Sequence, residues 1–138
     1  MKPALLRFAL MALACAAACL LAGSARLLGP FIASIGVICS APQRAQAAMT
    51  AGLAYAVCVP LGLLAHTVLP AGPLAATGAA LIGFALLRAL SRAHAPALAM
   101  VAVLALTDTT LPELGSAAAM VLVLLACGWL ESRAPARA

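Results

Sequence analysis

The sequence predicts an all-α fold, a polytopic transmembrane helical bundle of four long and two short hydrophobic helices. Three observations lead there. Hydrophobic residues make up 67% of the 138 residues and charged residues 8%, where soluble domains carry about 45–50% and about 25%. Mean hydropathy is +1.19. Apolar runs recur along the chain, separated by short polar or Pro/Gly stretches with basic residues scattered singly, the pattern that orients membrane helices. In water such a chain would leave large apolar patches exposed, so its natural solvent is a bilayer. At roughly 20 residues per full crossing the ceiling is about six crossings, and residues 1–138 read as a single transmembrane domain.

The first segment begins with Lys2 and Arg7 ahead of an apolar run from Phe8 to Ala22, followed by Gly23-Ser24-Ala25. That is also the form of a signal peptide with a small-residue cleavage site. The chain stays hydrophobic beyond Ala25, however, so a retained first helix is expected from Ala4 to about Gly23. The second segment, about Leu27 to Cys39, is short and opens with Gly29-Pro30. Proline suits the first turn of a helix, where its missing N–H would have had no partner. A polar turn from Ser40 to Gln46 leads to the third segment, about Ala47 to Val68, in which Pro60 is expected to produce a kink.

Leu69-Pro70-Ala71-Gly72-Pro73 is a tight, uncharged turn before the fourth segment, about Leu74 to Leu90. Arg92 and His94 then open the second short segment, with Pro96 near its start and its end near Leu106. Thr107-Asp108-Thr109-Thr110-Leu111-Pro112-Glu113 is an acidic loop. The last helix is expected from about Gly115 to Leu130, with a polar tail after it. Small residues are plentiful and aromatic residues are 4%. Such a composition lets membrane helices approach closely. The five cysteines (Cys15, Cys19, Cys39, Cys58 and Cys127) lie inside apolar runs without metal-ligand spacing and read as small packing residues.

The two short segments match each other. Shifted by the 66 positions that separate Arg26 from Arg92, Pro30 falls on Pro96, Ala33 on Ala99 and Val37 on Val103. Gly29/Ala95, Ile32/Leu98 and Ile35/Val101 are conservative pairs. The order long-short-long, twice over, suggests an internal repeat, and three crossings per half would make it inverted. Charge counting favours crossings by the short segments too. With all six crossing, Lys2, Arg7, Arg44, Arg88, Arg92, Arg133 and Arg137 share one side and Arg26 stands on the other with Asp108 and Glu113. The positive-inside rule then puts both termini in the cytoplasm of a cell whose inner membrane holds the chain. About 13 to 15 residues span only about 20–22 Å, less than the hydrocarbon core of about 30 Å. Short spans survive where flanking helices or a cavity cover their ends.

Candidate binding residues cluster at the short segments: Arg92, His94 and Pro96 in the second, Arg26, Ser34 and Gly36 in the first. Arg92 and His94 would form a cationic start to a helix whose N-terminal N–H groups favour an anion; alternatively they serve only to orient a cytoplasmic loop. Arg26 is read as a second anion contact at the opposite face or an arginine snorkelling to the headgroups. Ser34 and Gly36 allow ligand contact or close packing, and His66 reads as an interfacial histidine. Asp108 and Glu113 read as solvated loop acids. The net charge of +5 carries no nucleic-acid signal, because the basic residues form no patch and have no interleaved aromatics. No Walker loop, GxSxG or HExxH motif is present, so neither an enzyme nor a cofactor or metal is expected.

His94-Ala95-Pro96-Ala97-Leu98-Ala99 resembles the His-Pro-Pro-Ala-Gly-Ala signature of the HPP family of integral membrane proteins. Phe31-Ile32-Ala33-Ser34-Ile35-Gly36 is similar to that family's Phe-Ile-Ala-Ser-Phe-Gly stretch, with a Pro/Gln/Arg turn at Pro42-Gln43-Arg44 after it. Order and spacing agree over roughly Leu27 to Glu131. Ala95 and Leu98 replace a proline and a glycine of the signature, which marks a divergent member. The resemblance implies a small helical membrane protein, usually described with four spanning helices, and in plants a role in nitrite transport. The expected function is accordingly a transporter or permease for a small, nitrite-like inorganic anion. A membrane scaffold or accessory subunit is the alternative. The expected partners are the lipid bilayer, a small anion and, given the chain's size, further copies in a homo-oligomer.

Overall fold

The computed structural model describes residues 10, 11, 13, 14, 16, 17, 20, 23 and 25–133. The expected first helix, with Cys15 and Cys19, falls largely outside the described residues, as does the end of the polar tail. Over residues 25–133 the described chain forms five α-helices and no strand: α1 (Leu28–Ser40), α2 (Arg44–Val68), α3 (Pro73–Ala89), α4 (Ala95–Leu106) and α5 (Leu111–Arg133). Two of them, α2 and α5, are long and apolar enough to cross a membrane.

Prolines set most of the boundaries. Ala41 precedes Pro42 and Leu69 precedes Pro70, and both are extended, with ψ of 141° and 146°. Proline forces its predecessor out of the helical region, so α1 and α2 stop there. Pro73 opens α3 and Pro96 lies in the first turn of α4, where a missing N–H removes no helical bond. α2 continues through Pro60, on its exposed side. It starts at Arg44 and not near Ala47, since nothing in Arg44-Ala45-Gln46 opposes a helix. α3 lies within a residue of the expected bounds, between Gly72-Pro73 and a reversal at Ser91, but at 17 residues it joins α1 and α4 among the shorter apolar helices and not the long ones.

α2 is the centre of the bundle, packed against α5, α4, α3 and α1, and α4 also packs against α1 and α3. Its buried face, Ala48, Ala51, Ala54, Tyr55 and Cys58, is mostly small, which brings neighbouring backbones close. At Gly62 an added Cβ would lie 2.8 Å from Leu104 Cβ and 3.0 Å from the Val101 carbonyl oxygen. At Gly128 it would lie 3.0 Å from the Met49 amide nitrogen and 3.1 Å from the Ala45 carbonyl. The start of α2 therefore meets the end of α5, and the two run antiparallel. The Gly62 contacts place the end of α4 beside the last third of α2, so α4 begins level with Tyr55. That level is about 16 Å along α2 from Arg44, which leaves the connection between α3 and α4 recessed from the end of the bundle.

The helix boundaries repeat with the same 66-position shift as the sequence. Moved by it, α1 falls on 94–106 and α2 on 110–134, within a residue of α4 and α5.

Gly62→Ala should lower stability by about 1–3 kcal/mol, because the clash is with Val101 backbone and no rotamer change relieves it. Gly78→Ala, where the added Cβ meets nothing within 4 Å, should instead be neutral or stabilise by about 0.5–1 kcal/mol. Thermal unfolding of the two variants in one detergent measures the contrast.

Candidate functional site

The site begins with the way α3 ends. Ser91 is left-handed at φ 54°, the Arg92 amide donates to the Leu87 carbonyl at 2.8 Å, and the Ser91 amide donates to Arg88 at 3.0 Å. These are the two bonds of a Schellman motif, which closes a helix by reversing the chain. Glycine is the usual residue at that position and serine an uncommon one. The reversal sends Arg92 and then His94 back toward the bundle. His94 becomes the extended N-cap residue of α4, without a side-chain capping bond, and is buried.

His94 meets the first turns of α1 inside the bundle. The Ser34 hydroxyl lies 2.9 Å from His94 Nε2, 2.8 Å from the Tyr55 hydroxyl and 3.0 Å from the Pro30 carbonyl oxygen. The Tyr55 hydroxyl donates to that same carbonyl at 2.7 Å. Phe31 covers one side of Tyr55 at 4.7 Å between ring centroids, and the His94 ring stands edge-on to it at 6.0 Å. Ser34 and Tyr55 bring one hydrogen each to these four contacts. Only a hydrogen on His94 Nε2 adds a third, so the Nε2–H form leaves the fewest contacts without one. His94 stands in the connection ahead of α4, and burial pushes its pKa below the ordinary histidine value, which disfavours the charged form. Nδ1 of His94 has no hydrogen-bond partner among the described residues.

Beside His94 a cavity of about 290 Å³ opens between the end of α1 and the start of α2, with Gln43, Gln46, Ala47, Thr50 and His94 in its wall. Arg92 Nη1 donates to Thr50 Oγ1 at 3.3 Å, which brings the guanidinium to that wall. The lining thus offers amide and hydroxyl donors, an imidazole and a nearby cation, and no carboxylate. Such a set suits a small anion.

The opposite end of the bundle holds the other arginine. Arg26 donates from Nε to Glu113 Oε1 at 2.9 Å and from Nη2 to Glu113 Oε2 at 2.7 Å, and also reaches the Asp108 carbonyl. The hydrogen bonds it donates to Glu113 raise the guanidinium pKa further above its ordinary value. Glu113 also caps α5: its carboxylate accepts from the Thr110 amide at 2.8 Å, and the Thr110 hydroxyl faces the Glu113 amide. That is the reciprocal capping box, and it moves the start of α5 ahead of Gly115. Glu113 is therefore a buried ion-pair partner and not the solvated acid expected, whereas the Asp108 side chain is fully exposed and 3.1 Å from His66 Nε2. Arg26 is engaged by protein groups and not snorkelling.

Of the residues singled out in the sequence, Ser34 and His94 touch, and Arg92 stands on the same side of the bundle. Pro96 and Gly36 are outside the cavity lining, and Arg26 is remote. Sequence reasoning missed Tyr55 and Thr50. Tyr55 carried a signal, as the one tyrosine of the chain set within an apolar run. Thr50 carried none.

Ser34→Ala should destabilise the fold by about 1–3 kcal/mol, since it strands the buried Nε2–H of His94 and removes a hydroxyl shared with Tyr55 and the Pro30 carbonyl. Denaturant titration measures this, and nitrogen-15 NMR of the imidazole should find Nε2 protonated in the parent protein. Ser91→Gly should stabilise by about 1 kcal/mol by relieving the left-handed serine, read as a rise in the thermal midpoint. Compared with known proteins, the chain matches no family model, no curated protein and no solved structure.

Proposed function

We propose that this chain is an integral protein of the inner membrane that moves a small inorganic anion, nitrite-like in size and charge, across the bilayer. The observation that carries the reading is the convergence of Arg92 and the buried His94 on an acid-free cavity with Gln43, Gln46 and Thr50 in its wall. The resemblance of His94–Ala99 to the HPP signature points the same way. His94 lines the cavity and rests on Ser34, so a rearrangement of their contact would be the step that admits an anion deeper into the bundle.

Several features support a bilayer as the surroundings. Leu74, Leu81, Leu111 and Leu122 are exposed large apolar side chains on α3 and α5, a surface that water would disfavour. Arg133 stacks over the Trp129 ring at 4.1 Å, a pairing suited to the headgroup region. Arg44 and Arg133 share the end of the bundle toward which the α3–α4 connection faces. At the other end Arg26 is neutralised by Glu113. By the positive-inside rule the arginine-rich end is cytoplasmic.

In this reading α1 and α4 cross as short helices of an inverted repeat. At 13 and 12 residues they are about 20 and 18 Å long, and their ends meet the cavity and the Arg26–Glu113 cluster, where irregular backbone is tolerated.

Uptake of nitrite, nitrate and chloride into proteoliposomes tests the reading. Wild type should take up nitrite above empty liposomes, and an Arg92→Ala/His94→Ala variant should lose at least about ten-fold of the rate, as expected for removing charge-assisted contacts. Folded protein without flux of any anion would favour a scaffold or accessory subunit.

A further inference from the structure

The two arginines that precede the short helices are related by the 66-position shift, and so are the long helices they face. Arg26 lies against the first turns of α5, Arg92 against the first turns of α2. Under the shift Ser116 of α5 falls on Thr50 of α2, the residue that Arg92 contacts, and Glu113 falls on Ala47. In one half, then, the arginine grips a planar two-oxygen group that the protein itself supplies. In the other half a methyl group stands at that place, and Ala47 lines the cavity.

Two further differences belong to the same position. Glu113 caps α5 through the Thr110 amide, whereas α2 has no side-chain cap. Arg26 has a carboxylate partner, and among the described residues Arg92 has none. A carboxylate seated beside Ala47 would meet the Arg92 guanidinium and the uncapped start of α2, as Glu113 meets their counterparts. The amides of Gln43 and Gln46 and the Thr50 hydroxyl stand around it, and guanidinium geometry matches a two-oxygen anion in a forked pair.

From this juxtaposition we propose that the cavity binds a small monocarboxylate, of formate or acetate size, in the place that Glu113 fills in the other half. The inference rests on the anion reading of the same cavity and narrows it to planar two-oxygen monoanions.

The test is anion-dependent thermal stability of the full chain in nanodiscs, with sodium formate and acetate set against nitrite, chloride and sulfate at equal ionic strength. A ligand that binds the folded state raises the midpoint with its concentration. Formate and acetate should raise it saturably, and chloride and sulfate should not. Ala47→Glu, which builds the carboxylate into the chain, should abolish the acetate response. Should that variant fail to fold, Arg92→Gln serves in its place and should weaken the response about ten-fold or more. An Ala47→Glu protein that folds and still responds to acetate as wild type does would overturn the placement. A response to nitrite or chloride that Arg92→Gln removes, with none to formate or acetate, would overturn the carboxylate assignment and leave the anion reading standing. Folded protein that responds to no anion would remove both.

Discussion

The Ser34 hydroxyl sits where α1, α2 and the start of α4 come together, and the approach of the two short helices depends on it. Its neighbours are a main-chain carbonyl, a phenol and an imidazole, all buried. A polar group sealed from water is costly unless it is bonded, so each member of this cluster restricts where the others can be. Tyr55 holds the level along α2, Pro30 presents the carbonyl of the first turn of α1, and His94 sets the depth at which α4 begins. Because α4 begins there and not at the end of the bundle, the loop before it is recessed and a cavity forms beside His94.

The two ends of the bundle use related parts to different effect. In one half the arginine, the carboxylate and the helix start satisfy one another, and the carboxylate serves as ion-pair partner and capping group at once. Such a cluster is a structural clamp that ties the segment before α1 to α5 across 87 positions of sequence. In the other half the arginine reaches a hydroxyl and the carboxylate is missing from the sequence. The two arginines, related by the same 66-position shift, thus meet different surroundings at the two ends of the bundle.

Helix positions were legible along most of the described chain, because prolines and glycines mark the boundaries and act locally. α1 lies within about a residue of where its apolar run and Pro30 put it, and α4 has Pro96 in its first turn and ends at Leu106 as expected. The starts of α2 and α5 were read late, as polar residues such as Arg44 and Glu113 belong to the first helical turn and not to the preceding loop. Glu113 was misjudged for a related reason. In sequence it looks like one of two loop acids, but the capping bond and Arg26 draw it inward while Asp108 stays in solvent. The pairing of Ser34 with His94 joins two residues that the sequence had marked separately. The part played by Thr50 and Ala47 depends on which face α2 turns toward the α3–α4 loop, and an Ala-rich helix offers little periodicity to tell its faces apart.

Composition by itself determined the helical class and helices long and apolar enough to cross a membrane, because hydropathy acts through the sum of many side chains and needs no particular contact. It also determined where most helices stop, since the restrictions proline imposes are confined to adjacent residues. Only the tertiary structure decided that Arg26 is paired with a carboxylate and that Arg92, among the described residues, is not, that His94 is buried against Ser34, and that a cavity lies beside it. Those outcomes depend on the depth at which α4 enters the bundle, which is set by contacts between residues tens of positions apart that no local pattern encodes.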